Sequence, residues 1–359
     1  MKACGIVIEY NPMHWGHRHH IQQAKLVTQA DIIIGVMSAN FVQRGEPAIV
    51  SKFLRTEAAL RNGVDIVIEL PTIYSLQAAD IFGKQAIKLL ELSKVASVCF
   101  GSESNDIEIL KEIANLSVNI DHFRERLDAG ESYASAISIS DDRLYPNDIL
   151  AISYLRALKD TSITPYSIQR TNHYHSSDLT DPFLSASAIR QNLRDEKALE
   201  QSLVNLDNSI TISDFYPLIR YKLLSSTSTE LSKIFMVSEG IQNKLKKHAV
   251  ECNCYEEFLE NCVSRRYSKS RIQRILMHIV LNHTKEQVLS LGKLNHLRVL
   301  GFTKKGRDYI KEKKLNISTK VSHIPKDYFA IEENATAIYS LISKEKDLLK
   351  KEVSKIMIL

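Results

Sequence analysis

Short apolar runs alternate with helical periodicity over the first 200 residues. Ala3–Ile8, Asp31–Met37, Val64–Leu70 and Val95–Phe100 are brief, apolar and rich in β-branched residues, and Pro165–Arg170 reads as a fifth such run. Between them, the positions after His14, Leu54–Arg61 and Ala78–Leu92 carry the apolar stripe of a helix. Helical patterns also cover much of Ile107–Leu158, with a break near Asp141–Pro146. Runs that are apolar throughout belong to strands covered on both faces, so the pattern predicts a parallel sheet with helical crossovers: a three-layer α/β domain. Past about residue 200 the strand signal fades. Glu286–Gly292 and Arg298–Gly306 each stop at a glycine, and Ala335–Leu359 reads as one amphipathic helix of alternating charge. The expectation is a catalytic domain over 1–198 and an all-helical domain over 199–359, with the boundary near Lys197–Leu206.

Charge divides at the same place. The net charge of +5 conceals 20 Lys+Arg against 25 Asp+Glu in residues 1–200, and 27 against 17 in residues 201–359. An acidic half joined to a basic half points to a polyanionic partner for the second. No run approaches the length of a membrane span, and the start MKACGIVIEYNP lacks the apolar core and cleavage site of a secretory signal. Five cysteines suit free thiols in a reducing cytosol, which predicts a cytoplasmic protein. Cys252, Cys254 and Cys262 cluster, but CxC followed by one Cys is not a zinc half-site spacing.

The segment Glu9-Tyr10-Asn11-Pro12-Met13-His14-Trp15-Gly16-His17 falls between the first strand and the first helix. In an open parallel sheet, ligands bind at the carboxyl ends of strands, and a helix N-terminus there is a ready phosphate site. His14 and His17, three apart at a helix start, can face one side and donate to phosphoryl oxygens as charge develops. Gly16 permits close approach of the nucleotide. The alternatives at this point are a solvated His-rich turn and, because His19 and His20 follow, a metal site. No GxxxxGK[ST] occurs, which excludes a P-loop.

Further candidates sit at later strand ends. Asn40 and Arg44 follow the second strand, where Arg44 suits a phosphate or carboxylate; an ordinary polar loop is the bland alternative. Gly101 ends the fourth strand, where adenine or ribose can pack on bare backbone. Asn147 reads as a helix N-cap, and Arg170 ends the fifth strand. Ser185-Ala-Ser187-Ala-Ile-Arg190 opens a helix and combines hydroxyls with a guanidinium; Ser187 as a simple cap is the alternative. In the basic half, Val263–Arg274 holds Arg265, Arg266, Lys269, Arg271 and Arg274 without an acid, and residues 303–326 add eight Lys+Arg against Asp308 and Glu312. Arg266, Lys269 and Arg274 would share a helical face, and Tyr267 and Tyr309 are candidates for stacking on bases. Such density favours RNA phosphates over a merely solvated face.

HxGH after a first strand matches the signature of the nucleotidyltransferase superfamily. GIVIEYNPMHWGH, MSANFVQRGEPA, VDIVIELP, PNDILAISYLRAL, RTNHYH and SASAIR together resemble the bacterial tRNA(Met) cytidine acetate ligases, a YlbM-like family, in order and spacing across about residues 1–195. SRRYSKSRIQRILMHI and RVLGFTKKGR extend the resemblance into the basic half. The family usually has Phe and Asn where this chain has Met13 and Trp15, and Gly at Ala39. The resemblance implies a Rossmann-like fold of the HUP type and ATP contacts from Val7, Ile8, Glu9, Tyr10, Asn11, Pro12, Met13, His14, Trp15, Gly16, His17, Arg18, His19 and His20, with Gly101, Asn147 and Arg170. It implies a ligase that forms acetyl-adenylate from acetate and ATP, with magnesium arriving alongside the nucleotide. The acetyl group then passes to N4 of the wobble cytidine of elongator tRNA(Met). His14 and His17 are the expected phosphate ligands, with Arg170 and Arg190 as further anion contacts. A small-molecule adenylyl- or cytidylyltransferase shares the HxGH site but leaves the basic half unexplained. A non-catalytic RNA-binding relic conflicts with the intact motif.

Overall fold

A computed structural model describes residues 1–115, 145–170, 184–193, 195–318, 320–354 and 356–359. The part of the RTNHYH segment after Arg170 and the break at 141–144 lie outside the described residues. β1 (Ala3–Ile8), β2 (Ile32–Ser38), β5 (Ile66–Leu70), β6 (Ser97–Ser102) and β7 (Thr164–Gln169) form a parallel sheet in the order β5-β2-β1-β6-β7. All five coincide with apolar runs read from the sequence. β2 and β5 are buried at every position, as expected for strands covered on both faces. The helices α1 (Trp15–Thr28), α2 (Lys52–Arg61) and α3 (Ala79–Leu92) match the predicted periodic segments. The strand order reverses beside β1, so β1 and β6 flank the switch-point crevice.

The chain beyond residue 200 is mostly helical, but the expectation of an all-helical half needs correction. β8 (Leu297–Phe302) adds to the sheet antiparallel to β5, and β9 (Ile317–Ser318) and β10 (Met357–Ile358) pair with it. Arg298–Gly306 therefore contains a strand and not only a helix stop. Ala335–Leu359 is not one helix but the end of helix Lys326–Ser340, a short helix Leu348–Val353 and β10.

Polar pairing explains why β8 is drawn in. Lys52 Nζ lies 2.5 Å from Glu69 Oε1 and 2.9 Å from Glu352 Oε1. Arg298 Nη1 lies 2.7 Å from both Glu69 Oε2 and Glu352 Oε1, and all four side chains are nearly or wholly buried. Two cations and two carboxylates balance only when residues some 300 positions apart meet; removing any one would leave a buried charge unpaired.

A two-stranded hairpin, β3 (Phe41–Val42) and β4 (Glu46–Pro47), follows β2 and plugs into the helical half. Phe41 packs edge-on against Phe215 and Tyr339, with ring centres 6.0 and 6.1 Å away. Gly45 turns the hairpin at φ +85°, where a methyl would stand 2.2 Å from the backbone nitrogen of Arg274. Only glycine lets helix Lys269–Val280 lie this close.

Candidate active site

The HxGH loop lies at the carboxyl end of β1, beside β6. His14 is the N-cap of α1: its Nδ1 accepts from Gly16 N–H at 3.1 Å. His17 Nδ1 in turn accepts from the His14 backbone N–H at 3.3 Å. The two rings sit 3.8 Å apart, and Tyr10 packs on His17 at 4.7 Å. Burial lowers the His14 pKa to about 3, reinforced by the positive charges of Arg170 and Arg190. Burial, then the His14 and Arg170 charges, holds His17 well below the ordinary histidine value. Neutral imidazoles whose Nδ1 atoms accept must carry their protons on Nε2. The loop thus presents two fixed Nε2–H donors at a helix N-terminus, able to bond developing phosphoryl charge without protonation. A methyl on residue 16 would meet the His14 ring at 2.9 Å, so Gly16 protects the capping geometry.

Beneath the loop, Arg55 is fully buried and donates to backbone oxygens of Val50 at 3.1 Å, Glu9 at 2.7 Å and Ser38 at 3.0 Å, and also to Ala39 O. It ties the ends of β1 and β2 together. Glu9 Oε1 accepts from Ser38 Oγ and Gln43 N, and Asn11 Oδ1 accepts from Ile49 N. Nothing in the local sequence marks Arg55, because its partners are carbonyls brought in by the fold.

The structure brings most predicted residues to this cleft. Gly101 is the penultimate residue of β6, and Arg170 covers the face a side chain would take, its Cγ 3.2 Å from where a Cβ would stand. Arg190 Nη1 donates to Asn11 O at 2.7 Å and Nη2 reaches Ser187 Oγ at 3.4 Å. Burial lowers the pKa of both Arg170 and Arg190 and the Arg44 charge adds to it, while Glu103 opposes the shift at Arg170 and Glu46 and Glu9 oppose it at Arg190, so guanidiniums and carboxylates meet here. His20 is pushed down to about 4 by burial, and its Nε2 finds no partner among the described residues.

Several expectations change. Val7 and Ile8 pack in the sheet core, and Met13 is fully buried, so these three can offer only backbone to a ligand. Met13 and Ala39 are core positions, and Trp15 is exposed beneath Arg18 at 5.2 Å; the departures from the family pattern therefore fall on packing and surface. Asn40 does not face a substrate: its Nδ2 donates to Thr336 Oγ1 and its Oδ1 accepts from Lys52 N. The N-cap of helix Pro146–Leu158 is Tyr145, which frees Asn147 to donate to Glu103 Oε1. The cap of helix Ala186–Gln191 is Ser185, not Ser187.

In the basic half, Arg265, Arg266 and Lys269 are exposed and Arg271 stacks on Tyr267 at 4.3 Å. Arg274 does not share their face: it is buried and donates to Gln43 O. Tyr267 and Tyr309 are also buried, their hydroxyls bonded to backbone carbonyls, so neither can stack on a base. The two basic runs separate. Helix Lys269–Val280 touches the hairpin at the catalytic end. Helix Lys304–Lys313 sits at the amino end of the strands, with Lys305 bonded to Asp31 O and Gly306 against Asp65 O. A strand of six residues puts about 20 Å between these ends. Among the described residues, no group of three or more His, Cys, Asp or Glu could hold a metal, and no helix is long and apolar enough to cross a membrane.

Comparison with known proteins agrees with this geometry. The HIGH Nucleotidyl Transferase family matches residues 1–353. A tRNA(Met) cytidine acetate ligase of Fusobacterium nucleatum is 38% identical, over 85% of this chain and 83% of its own. One from Oceanobacillus iheyensis is 34% identical over 98% of each. Thermotoga maritima TmcAL in its apo form superposes with a TM-score of 0.88 at 28% identity over the whole of both chains. The same protein bound with alpha-thio ATP gives 0.85 at 28% identity, again over the whole of both. With the HxGH donors, the switch-point cleft and these relatives in agreement, the chain belongs to the HIGH nucleotidyl transferase family, in its branch of tRNA(Met) cytidine acetate ligases.

Proposed function

We propose that this protein activates acetate with ATP and transfers the acetyl group to N4 of the wobble cytidine of elongator tRNA(Met). The observation that carries the reading is the pair of Nε2–H donors of His14 and His17, fixed by the α1 cap beside Arg170 and Arg190. Acetate is a poor acyl donor; joining it to the α-phosphate creates a good leaving group and expels pyrophosphate. The protein's part is positioning and electrostatic stabilisation, and neutral donors suit it because they bind charge as it develops. Magnesium would arrive on the phosphates, since among the described residues no group of three or more His, Cys, Asp or Glu could hold it. The tRNA would be held by a basic surface formed by Arg265, Arg266, Lys269 and Arg271, adjacent to the catalytic end. We assign chemistry to residues 1–198 and RNA capture to 199–359, with β8 anchoring the second to the first.

The test is incubation with ATP and acetate, with and without tRNA, following ATP–pyrophosphate exchange and acetylcytidine by mass spectrometry. Acetate-dependent exchange and N4-acetylcytidine are expected. Exchange only with a phosphorylated metabolite would establish a small-molecule nucleotidyltransferase instead.

A further inference from the structure

We propose that the carboxylate of Glu103 holds the nucleoside end of ATP by accepting a hydrogen bond from a sugar hydroxyl or the exocyclic amine. The proposal rests on the reading of this cleft as an ATP site and adds its polarity. Glu103 directly follows β6 at the switch point, two residues beyond Gly101. Its backbone is pinned on both sides: N–H donates to Asp148 Oδ1 at 3.1 Å, and the carbonyl accepts from Gln169 Nε2 at 2.8 Å. The side chain is 9% exposed. Oε1 accepts from Asn147 Nδ2, and Arg170 Nε stands 3.9 Å away, too far for a hydrogen bond. Oε2 is buried and meets no donor among the described residues, and Arg170 Nε makes no hydrogen bond among them.

A buried carboxylate oxygen without a donor is uncommon, and this one directly follows β6 at the switch point. A carboxylate only accepts, so whatever fills the place must donate. A phosphate offers no donor and shares the carboxylate's charge. The nucleoside offers hydroxyls and an amine, and either can supply the donor. The triphosphate would then run toward His14, His17 and Arg190, with Arg170 between the two ends.

The test is calorimetric binding of ATP, inosine triphosphate, 2′-deoxyATP and 3′-deoxyATP to the full chain and to Glu103→Gln. Gln keeps an oxygen for Asn147 but replaces the free acceptor with a donor. Wild type should bind one of the three analogues about tenfold or more weaker than ATP, as expected for a lost hydrogen bond to a charged group. Inosine triphosphate as that analogue identifies the amine; a deoxy nucleotide identifies the hydroxyl. Glu103→Gln should bind ATP weaker by a similar factor and lose that discrimination. Should the Gln variant melt early, Glu103→Asp, which withdraws the carboxylate by one methylene, must lose discrimination in the same way. Equal weakening for all four nucleotides, or unchanged discrimination, overturns the proposal while leaving the ATP site standing. Absence of ATP binding by wild type overturns the ATP site itself, and this proposal with it.

Discussion

His17→Ala separates catalysis from folding more sharply than any other change in the cleft. Its ring leaves a largely buried position, and among the described residues the hydrogen bond it makes is the long 3.3 Å contact from His14 N–H. Losing such a bond costs about 0.5–1.5 kcal/mol. The chemical loss is larger. Removing one preorganised donor to developing oxyanion charge lowers a rate about 10²–10³-fold, or about 3–4 kcal/mol of transition-state stabilisation. His14→Ala behaves differently, because His14 also caps α1, and losing a cap alone costs about 0.5–2 kcal/mol. The assay is acetate-dependent ATP–pyrophosphate exchange beside a thermal melt for each variant. His17→Ala should lose at least about a hundredfold in exchange while its melting temperature moves by only a few degrees. Exchange within tenfold of wild type would refute the donor role. A collapse in melting temperature would show that the ring serves the fold.

Charge reversal of Arg265, Arg266 and Lys269 to Glu should weaken tRNA binding and flatten its salt dependence while sparing exchange without tRNA; an equal fall in both would make these residues structural. Gly45→Ala puts a methyl 2.2 Å from the Arg274 backbone and should lower stability by about 2–4 kcal/mol in urea, whereas Gly292→Ala, with nothing within 4 Å, should be near neutral; similar midpoints would contradict the close approach. Stability should peak near about pH 6.5. Burial holds His278 and His20 near 4 and His14 near 3, so the unfolded chain takes up protons first as pH falls below about 6.5, and folding weakens through that window. Glu332, raised to about 8 by burial and by Glu69, acts in the opposite sense: its contribution is fully present below about pH 4.5 and is lost between there and about 8. Glu332→Gln should remove the fall above about pH 6.5, and melting temperatures of that variant that stay level from pH 4 to 6.5 would contradict the buried neutral histidines.

Where the information was local, the sequence sufficed. Apolar runs located the five parallel strands because burial on both faces imprints itself residue by residue. HxGH after the first run located the cleft, because a strand, a tight turn and a helix start are consecutive in the chain. The composition break near residue 200 marked where strand pattern yields to helix, yet it could not show β8 returning to the sheet. β8 is a brief apolar run next to helix-like sequence, and its partner β5 lies some 230 residues away. Tertiary structure alone decided which charges are spent. Arg274 and the exposed Arg266 belong to the same basic run, but helix rotation and the Gly45 turn bury the first. Asn40 occupies a strand end where a ligand contact was reasonable, and Thr336 and the Lys52 backbone use both its polar ends. Arg55 and Glu103 had no signature, since their partners are backbone groups or residues on other elements. A motif records neighbours along the chain; burial and hydrogen-bond demand depend on neighbours in space, and these determine which polar groups remain for a substrate.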